Sequence, residues 1–131
     1  MRSLLLLAAA ASSLAACSPV EVPAVDASAL PDTSDSAGPY AVAARVTARR
    51  AIARVELVFH NTAASSPGAR VPMEKDAGGV YRASIPGFGA GARVAYHVEA
   101  IDSEGDRGAA PPEAIAQSGC GPELCFTVLA R

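Results

Sequence analysis

The sequence predicts an all-β domain built as an antiparallel β-sandwich, and three observations lead to that prediction. Apolar side chains recur at every second position in several short runs after Tyr40, which is the periodicity of strands with one buried face. Clusters of glycine, proline, asparagine and aspartate separate these runs at short intervals, as turns between strands do. No stretch of about 18 residues is apolar throughout, so the sequence predicts no membrane-spanning helix.

Six runs alternate in this way, and each places its apolar residues on one face. Pro72 lies inside the third run and predicts an edge strand there, because proline cannot donate to a hydrogen-bonded ladder. Whether that strand pairs with the next one or belongs to the other sheet stays open. The runs are Ala41–Ala48, Ala53–His60, Val71–Met73, Tyr81–Ile85, Val94–Ala100 and Cys125–Leu129. The predicted core consists of Val55, Leu57, Phe59, Tyr81, Ile85, Val94, Tyr96 and Val98.

The glycine-rich segment Pro86–Gly91 is predicted to be a loop between two strands. A phosphate-binding loop leads into a helix, whereas an alternating strand pattern follows here, so the segment indicates a flexible connection. A helix is favoured only at Pro112–Gln117, where the proline can begin a single turn.

The N-terminus has the pattern of a secretory signal. Arg2 supplies a positive charge, Leu4–Ala11 is a short apolar run, and small residues precede Cys17. The sequence Leu-Ala-Ala-Cys at residues 14–17 resembles the lipobox of bacterial lipoproteins, in which the cysteine receives a diacylglyceryl group and becomes the first residue of the mature chain. An ordinary secretory signal is the alternative.

The lipobox resemblance implies residues 1–16 as a signal peptide and Cys17 as the site of lipidation with palmitate or similar chains. Several buried acyl chains hold a protein stably on a bilayer, so the implied location is the bacterial cell envelope. Ser18 after the cysteine, by resemblance to Gram-negative lipoproteins, favours the outer membrane.

Residues 17–39 are predicted to form the lipidated cysteine and a flexible tether, and residues 40–131 the sandwich domain. The tether is rich in proline and carries acidic but no basic residues, a composition that disfavours a packed core. As a flexible chain it would span about 25 Å. The alternative is that Val20–Val22 or a nearby stretch pairs as a first edge strand.

Residues 42–106 resemble an immunoglobulin-like or fibronectin type III-like module of bacterial surface proteins. The resemblance rests on Gly105 and four stretches: Val55–Phe59, then Val71–Met73, then Gly79–Gly87 with Gly-Val-Tyr-Arg-Ala-Ser-Ile-Pro-Gly, then Val94–Asp102. It implies a tyrosine-corner position for Tyr96, two residues before the position where antibody domains carry a cysteine. Val98 occupies that position and the chain has no tryptophan, so a disulfide-centred antibody-type domain is not implied.

Two cysteines remain once Cys17 is assigned to lipid. Cys120 and Cys125 enclose Gly-Pro-Glu-Leu, a spacing that allows a turn. An envelope compartment permits disulfides, so these two residues are predicted to be bridged. A redox-active pair is the alternative, although such pairs are usually separated by two residues.

Several residues are candidates for a partner or ligand site. His97 and Glu99 lie on a predicted outward face and Phe88 in the glycine-rich loop, and these three are the possible partner contacts. A metal pair of His60 and His97 lacks an evident third ligand, and the acidic turn from Asp102 to Asp106 lacks the length of a calcium hand. No metal and no cofactor is therefore predicted.

The sequence favours a non-catalytic binding or structural protein. A net charge of −2 argues against a nucleic-acid partner, and no recognisable nucleophile motif is present, so no enzyme is predicted. A protein or a glycan is the expected partner, besides the membrane reached through the lipid anchor. The alternatives are an inhibitor that inserts the loop Asn61–Arg70 or Pro86–Gly91 into an enzyme, or an accessory subunit of an envelope complex.

Overall fold

The computed structural model describes residues 21–63, 68–111 and 123–130. Cys17, Cys120 and the predicted helical turn at 112–117 lie outside these ranges. The described residues form nine strands, and none of them belongs to a helix able to cross a membrane. The strands are β1 (Ala24–Ala27), β2 (Tyr40–Thr47), β3 (Ile52–Asn61), β4 (Ala69–Pro72), β5 (Glu74–Lys75), β6 (Tyr81–Ile85), β7 (Arg93–Asp102), β8 (Arg107–Ala110) and β9 (Leu124–Thr127).

The strands form two antiparallel sheets, which confirms the predicted all-β architecture and is consistent with a β-sandwich. The four-stranded sheet has the order β1-β2-β6-β5, and the five-stranded sheet the order β4-β3-β7-β8, with β9 also paired to β7. β9 pairs with the first half of β7 and β8 with the second half, so two short strands share one side of β7.

Seven of the eight predicted core residues are buried between the sheets, as the alternation requires. Tyr81 is the exception: it is half-buried against the core, because it begins β6 opposite Lys75 of the short edge strand β5. The structure adds residues that the prediction left out, chiefly from β2, β9 and the chain after β9: Tyr40, Val42, Ala44, Met73, Ala92, Ala100, Leu124, Phe126 and Val128.

The strand that contains Pro72 lies at a sheet edge, as predicted, and pairs with β3. The next residue, Met73, is buried, and its N–H donates to the Val55 carbonyl oxygen at 2.8 Å. Directly after it, β5 pairs with β6 in the other sheet. The chain therefore crosses from one sheet to the other at Met73.

The prediction of a flexible tether over residues 17–39 is wrong for the part that the structure describes. β1 pairs with β2 along its whole length, which is the edge-strand alternative. After β1, the chain contacts the Tyr96 hydroxyl, which accepts a hydrogen bond from the Leu30 N–H at 2.8 Å and donates one to the Ser28 carbonyl oxygen at 3.0 Å. A tyrosine corner instead bonds to backbone a few residues upstream, so Tyr96 anchors a different segment.

The same N-terminal segment then joins the end of the chain. The Asp32 carboxylate accepts a hydrogen bond from the Thr127 N–H at 2.7 Å. Thr33 forms a parallel bridge with Val128, and its carbonyl oxygen accepts from the Leu129 N–H at 2.7 Å. The segment before Tyr40 therefore contacts both sheets, and the sandwich begins before the predicted boundary at residue 40.

β8 was not predicted, because Arg-Gly-Ala-Ala has no bulky alternation to detect. Gly108 lies opposite Ala100 of β7 and directly against the carbonyl oxygen of Pro23, which precedes β1. A glycine within a strand often marks such a close approach of another backbone. The absence of a Cβ at this position lets the first and the eighth strands approach across the edges of the two sheets.

Candidate functional site

A network of charged side chains covers the outer face of the five-stranded sheet. The register places Glu56 of β3 directly opposite Glu99 of β7, and like charges in that position repel. Arg70 of β4 lies between them: its Nη1 atom is 2.6 Å from Glu99 Oε2 and 3.5 Å from Glu56 Oε2. Arg107 of β8 donates to the same Glu99 oxygen at 2.6 Å. Two guanidinium groups thus offset the repulsion between the carboxylates.

Glu99 is the centre of this network, and its side chain is only 12% exposed. Burial raises the pKa of Glu99, but the hydrogen bonds from Arg70 and His97 and the charge of Arg107 lower it by more. The pKa of Glu99 therefore lies below its ordinary value, and the carboxylate is charged at neutral pH.

His97 connects Glu99 to the chain that leads into β9. Its Nε2 atom lies 3.0 Å from Glu99 Oε1, and its Nδ1 atom lies 3.1 Å from Glu123 Oε2. His60 of β3 approaches the same Glu123 oxygen at 3.8 Å. Among the described residues no group of three or more metal-ligating side chains has the geometry to hold a metal ion.

A groove of about 650 Å³ lies beside this network, between the chain that enters β1 and strand β8. One wall is apolar, and four side chains of the network form its polar part. Grooves of this size, mostly apolar with a few fixed polar groups, are typical of ligand and peptide sites. The lining residues are Val22, Pro23, Ala24, Val25, His97, Glu99, Arg107, Gly108, Ala109, Pro111 and Glu123.

The structure brings together two of the three predicted partner contacts. His97 and Glu99 are in direct contact and both line the groove. Phe88 does not lie there: it is half-buried, and its ring meets that of Phe59 edge to face at a centroid distance of 6.1 Å. The loop around Phe88 is held further by Gly87, which lies against the backbone of Ala37. Phe88 thus covers one end of the core.

The acidic turn after β7 is organised by Asp102, which is 2% exposed. Its Oδ1 atom accepts hydrogen bonds from the N–H groups of Glu104 at 2.9 Å and Asp106 at 3.0 Å. Asp106 in turn accepts from Arg50 at 2.6 Å. Two of the carboxylates considered as calcium ligands, those of Asp102 and Asp106, therefore act as hydrogen-bond acceptors and ion-pair partners.

Replacing Glu99 with glutamine is expected to lower the free energy of unfolding by about 1–2 kcal/mol near neutral pH, because two arginines lose a charged acceptor. A carboxylate with a lowered folded pKa stabilises the fold above its unfolded pKa of about 4.3. That contribution is lost as the pH falls through the folded pKa. Urea denaturation should therefore show a difference between wild type and variant that shrinks in acid.

The matched control for this experiment is Glu74→Gln, which changes an exposed carboxylate on edge strand β5. This control is expected to leave the unfolding free energy nearly unchanged at both pH values. A loss for Glu99→Gln that is equally large in acid would contradict the ionic explanation and indicate a packing defect.

Sequence reasoning missed several residues of the network, namely Arg54, Glu56, Arg70, Arg107 and Glu123. Arg54 and Glu56 pair with each other within β3, whereas the contact of Glu56 with Arg70 depends on the register of β4, which the sequence does not reveal. Comparison of the sequence with models of protein families finds no match, and comparison with curated proteins finds no relative.

Proposed function

We propose that this chain is a lipid-anchored, non-catalytic immunoglobulin-like protein of the bacterial envelope that docks a protein or glycan through the groove beside Glu99. The observation that carries the proposal is the strand order of the two sheets. An immunoglobulin-like domain has its first, second, fifth and fourth strands in one sheet and its third, sixth and seventh in the other. With edge strand β4 set aside, and β8 and β9 taken together as the seventh strand because both pair with the same side of β7, β1-β2-β6-β5 and β3-β7-β8 follow that order.

The chemistry of the groove supports docking over catalysis. A carboxyl group that acts as a general acid near neutral pH needs a raised pKa, whereas the pKa of Glu99 is lowered. His97 is held between Glu99 and Glu123. Charged groups that are already paired border the apolar wall of the groove, and this resembles the apolar centre and polar rim of a protein interface.

The envelope location is supported by the N-terminal pattern that ends at Cys17. The predicted Cys120–Cys125 disulfide fits that compartment. Cys125 lies in β9, where its Sγ atom is 3.7 Å from Arg93 Nη2, and Cys120 lies outside the described residues. The disulfide stays a prediction, as do the outer-membrane location and the signal peptide.

One experiment in intact bacterial cells tests both halves of the proposal. Wild type is expected to incorporate labelled palmitate, and Cys17→Ser is expected to lose the label and leave the membrane fraction. In the same cells, a photoreactive residue at Ala109 in the groove should crosslink to a defined partner. The control position is Ser84, which is exposed on the outer face of the other sheet.

Label that persists in Cys17→Ser, or a wild type without label, would show that the anchor is wrong. Equal crosslinking from Ala109 and Ser84, or none from Ala109, would show that the groove is not a docking site. Because the two readouts are separate, either half of the proposal can fail alone.

A further inference from the structure

Two turns lie together at one end of the sandwich. The β2–β3 turn contains Arg49 and Arg50, and the β7–β8 turn follows Asp102. A backbone hydrogen bond of 2.8 Å, from the Ser103 N–H to the Ala51 carbonyl oxygen, joins them. We call this region the arginine end and define it as residues 48–51 and 103–106.

The N-terminal segment enters the domain at the arginine end. The register of the first two strands places Ala24 opposite Thr47, the last residue of β2. Before β1, the carboxylate of Glu21 lies 2.8 Å from Arg49 Nε. The chain is therefore held against the fold from residue 21 onward.

This early start of the fold limits how far the domain can stand from a lipid on Cys17. Only four residue steps separate Cys17 from Glu21, and a fully extended chain covers at most about 14 Å over that length. The tether predicted from composition would have spanned about 25 Å. The polar layer on each side of a bilayer is itself about 6 Å thick.

We infer that the arginine end lies against the lipid headgroups of the membrane that holds the anchor, an inference that rests on the proposed lipidation of Cys17. The side chains of Arg49 and Arg50 are 83% and 45% exposed, and guanidinium groups have donors to spare for phosphate. Glu21 and Asp106 pair with these arginines. Asp102 and Glu104 add two further carboxylates beside Arg50, so charge does not draw this end to the lipid, and the short connection alone sets the orientation.

The opposite end of the sandwich is held well away from the membrane. β7 runs for ten residues from the loop Pro86–Gly91 to the turn that contains Ser103. At about 3.3 Å per residue, the strand separates the two ends by about 33 Å. The groove runs from Val22 and Arg107, next to the arginine end, towards His97 in the middle of β7.

The experiment measures the depth of two positions in the full-length lipidated protein. A fluorescent amino acid is placed at Ser103 or at Ala90, and each protein is bound to vesicles of phosphatidylcholine and phosphatidylglycerol that carry a headgroup-attached quencher. We expect several-fold stronger quenching at Ser103 than at Ala90. Inserting about 20 glycine and serine residues between Ser18 and Pro19 should reduce quenching at Ser103 to the level at Ala90.

The outcomes separate this inference from the proposed function. Protein that does not float with the vesicles and carries no lipid overturns the anchor, and the inference with it. Protein that floats but shows equal quenching at the two positions overturns only the inference. Quenching at Ser103 that survives the insertion also overturns it, because the short connection would then not set the orientation.

Discussion

Replacing Tyr96 with alanine is expected to lower the free energy of unfolding by about 3–5 kcal/mol, as truncation of a large buried aromatic residue does. The Tyr96 side chain is fully buried, and its ring meets that of Phe126 edge to face at 6.1 Å. The alanine variant leaves a cavity between the sheets, because strands of the two sheets hold the surrounding residues in place. It also releases the segment that the hydroxyl anchors.

The variant Tyr96→Phe separates these two contributions. The ring stays, but the Leu30 N–H and the Ser28 carbonyl oxygen lose their partner, which is expected to cost about 1–3 kcal/mol. Burial raises the pKa of the Tyr96 hydroxyl, and the hydrogen bond from the Leu30 N–H lowers it by less. The hydroxyl therefore keeps its proton and donates it to the Ser28 carbonyl oxygen.

Denaturant titration followed by circular dichroism measures both losses, and Tyr81→Ala is the matched control. Tyr81 is only half-buried, so its truncation should cost clearly less. Equal losses at Tyr81 and Tyr96 would contradict the assigned core. A Tyr96→Phe variant as stable as wild type would show that the hydroxyl does not anchor the N-terminal segment.

The variant Gly108→Ala is expected to lose about 3 kcal/mol, at the upper end of what overpacking costs. The added Cβ would overlap the carbonyl oxygen of Pro23. The backbone at Gly108 and the backbone next to Pro23 are both restrained by hydrogen bonds, since β8 pairs with β7 and β1 pairs with β2. The overlap can be relieved only if the strands move apart, and both β1 and β8 lie at sheet edges.

Two measurements check this prediction. Denaturant titration should show the loss of stability, and limited proteolysis should cut the segment before Tyr40 faster than in wild type. Gly78→Ala is the control, because its Cβ would meet only the flexible Asp76 side chain, at 3.4 Å. Gly108→Ala with wild-type stability and wild-type proteolysis would show that β1 does not approach β8 as described.

The period-two pattern predicted the long strands because burial on one face determines their sequence. In β3 the buried residues Val55, Leu57 and Phe59 fall at every second position, and Val94, Tyr96 and Val98 do the same in β7, so alternation identified both strands and their inward face. The burial of Ala95 and Ile101 in β7 departs from that pattern. Pro72 identified a sheet edge for a reason that is also local, because proline has no backbone N–H to donate to a neighbouring strand.

Features that depend on distant partners were not predictable in this way. β1 and β8 are four residues each and hold only one bulky apolar residue, Val25, so alternation does not mark them. His97 and Glu99 were recognised as an outward pair, but the groove beside them exists because Pro23 approaches Gly108. Composition suggested a flexible tether, whereas hydrogen bonds to Tyr96 and Thr127 fix that segment.

The junction between Asp32, Thr33 and the last strand has a consequence for biosynthesis. Asp32 and Thr127 are 95 positions apart, so Asp32 and Thr33 cannot join β9 until the chain as far as Thr127 has left the ribosome. Contacts this distant in sequence form late, because a long loop must close first. Completion of the fold therefore waits until β9 has been synthesised.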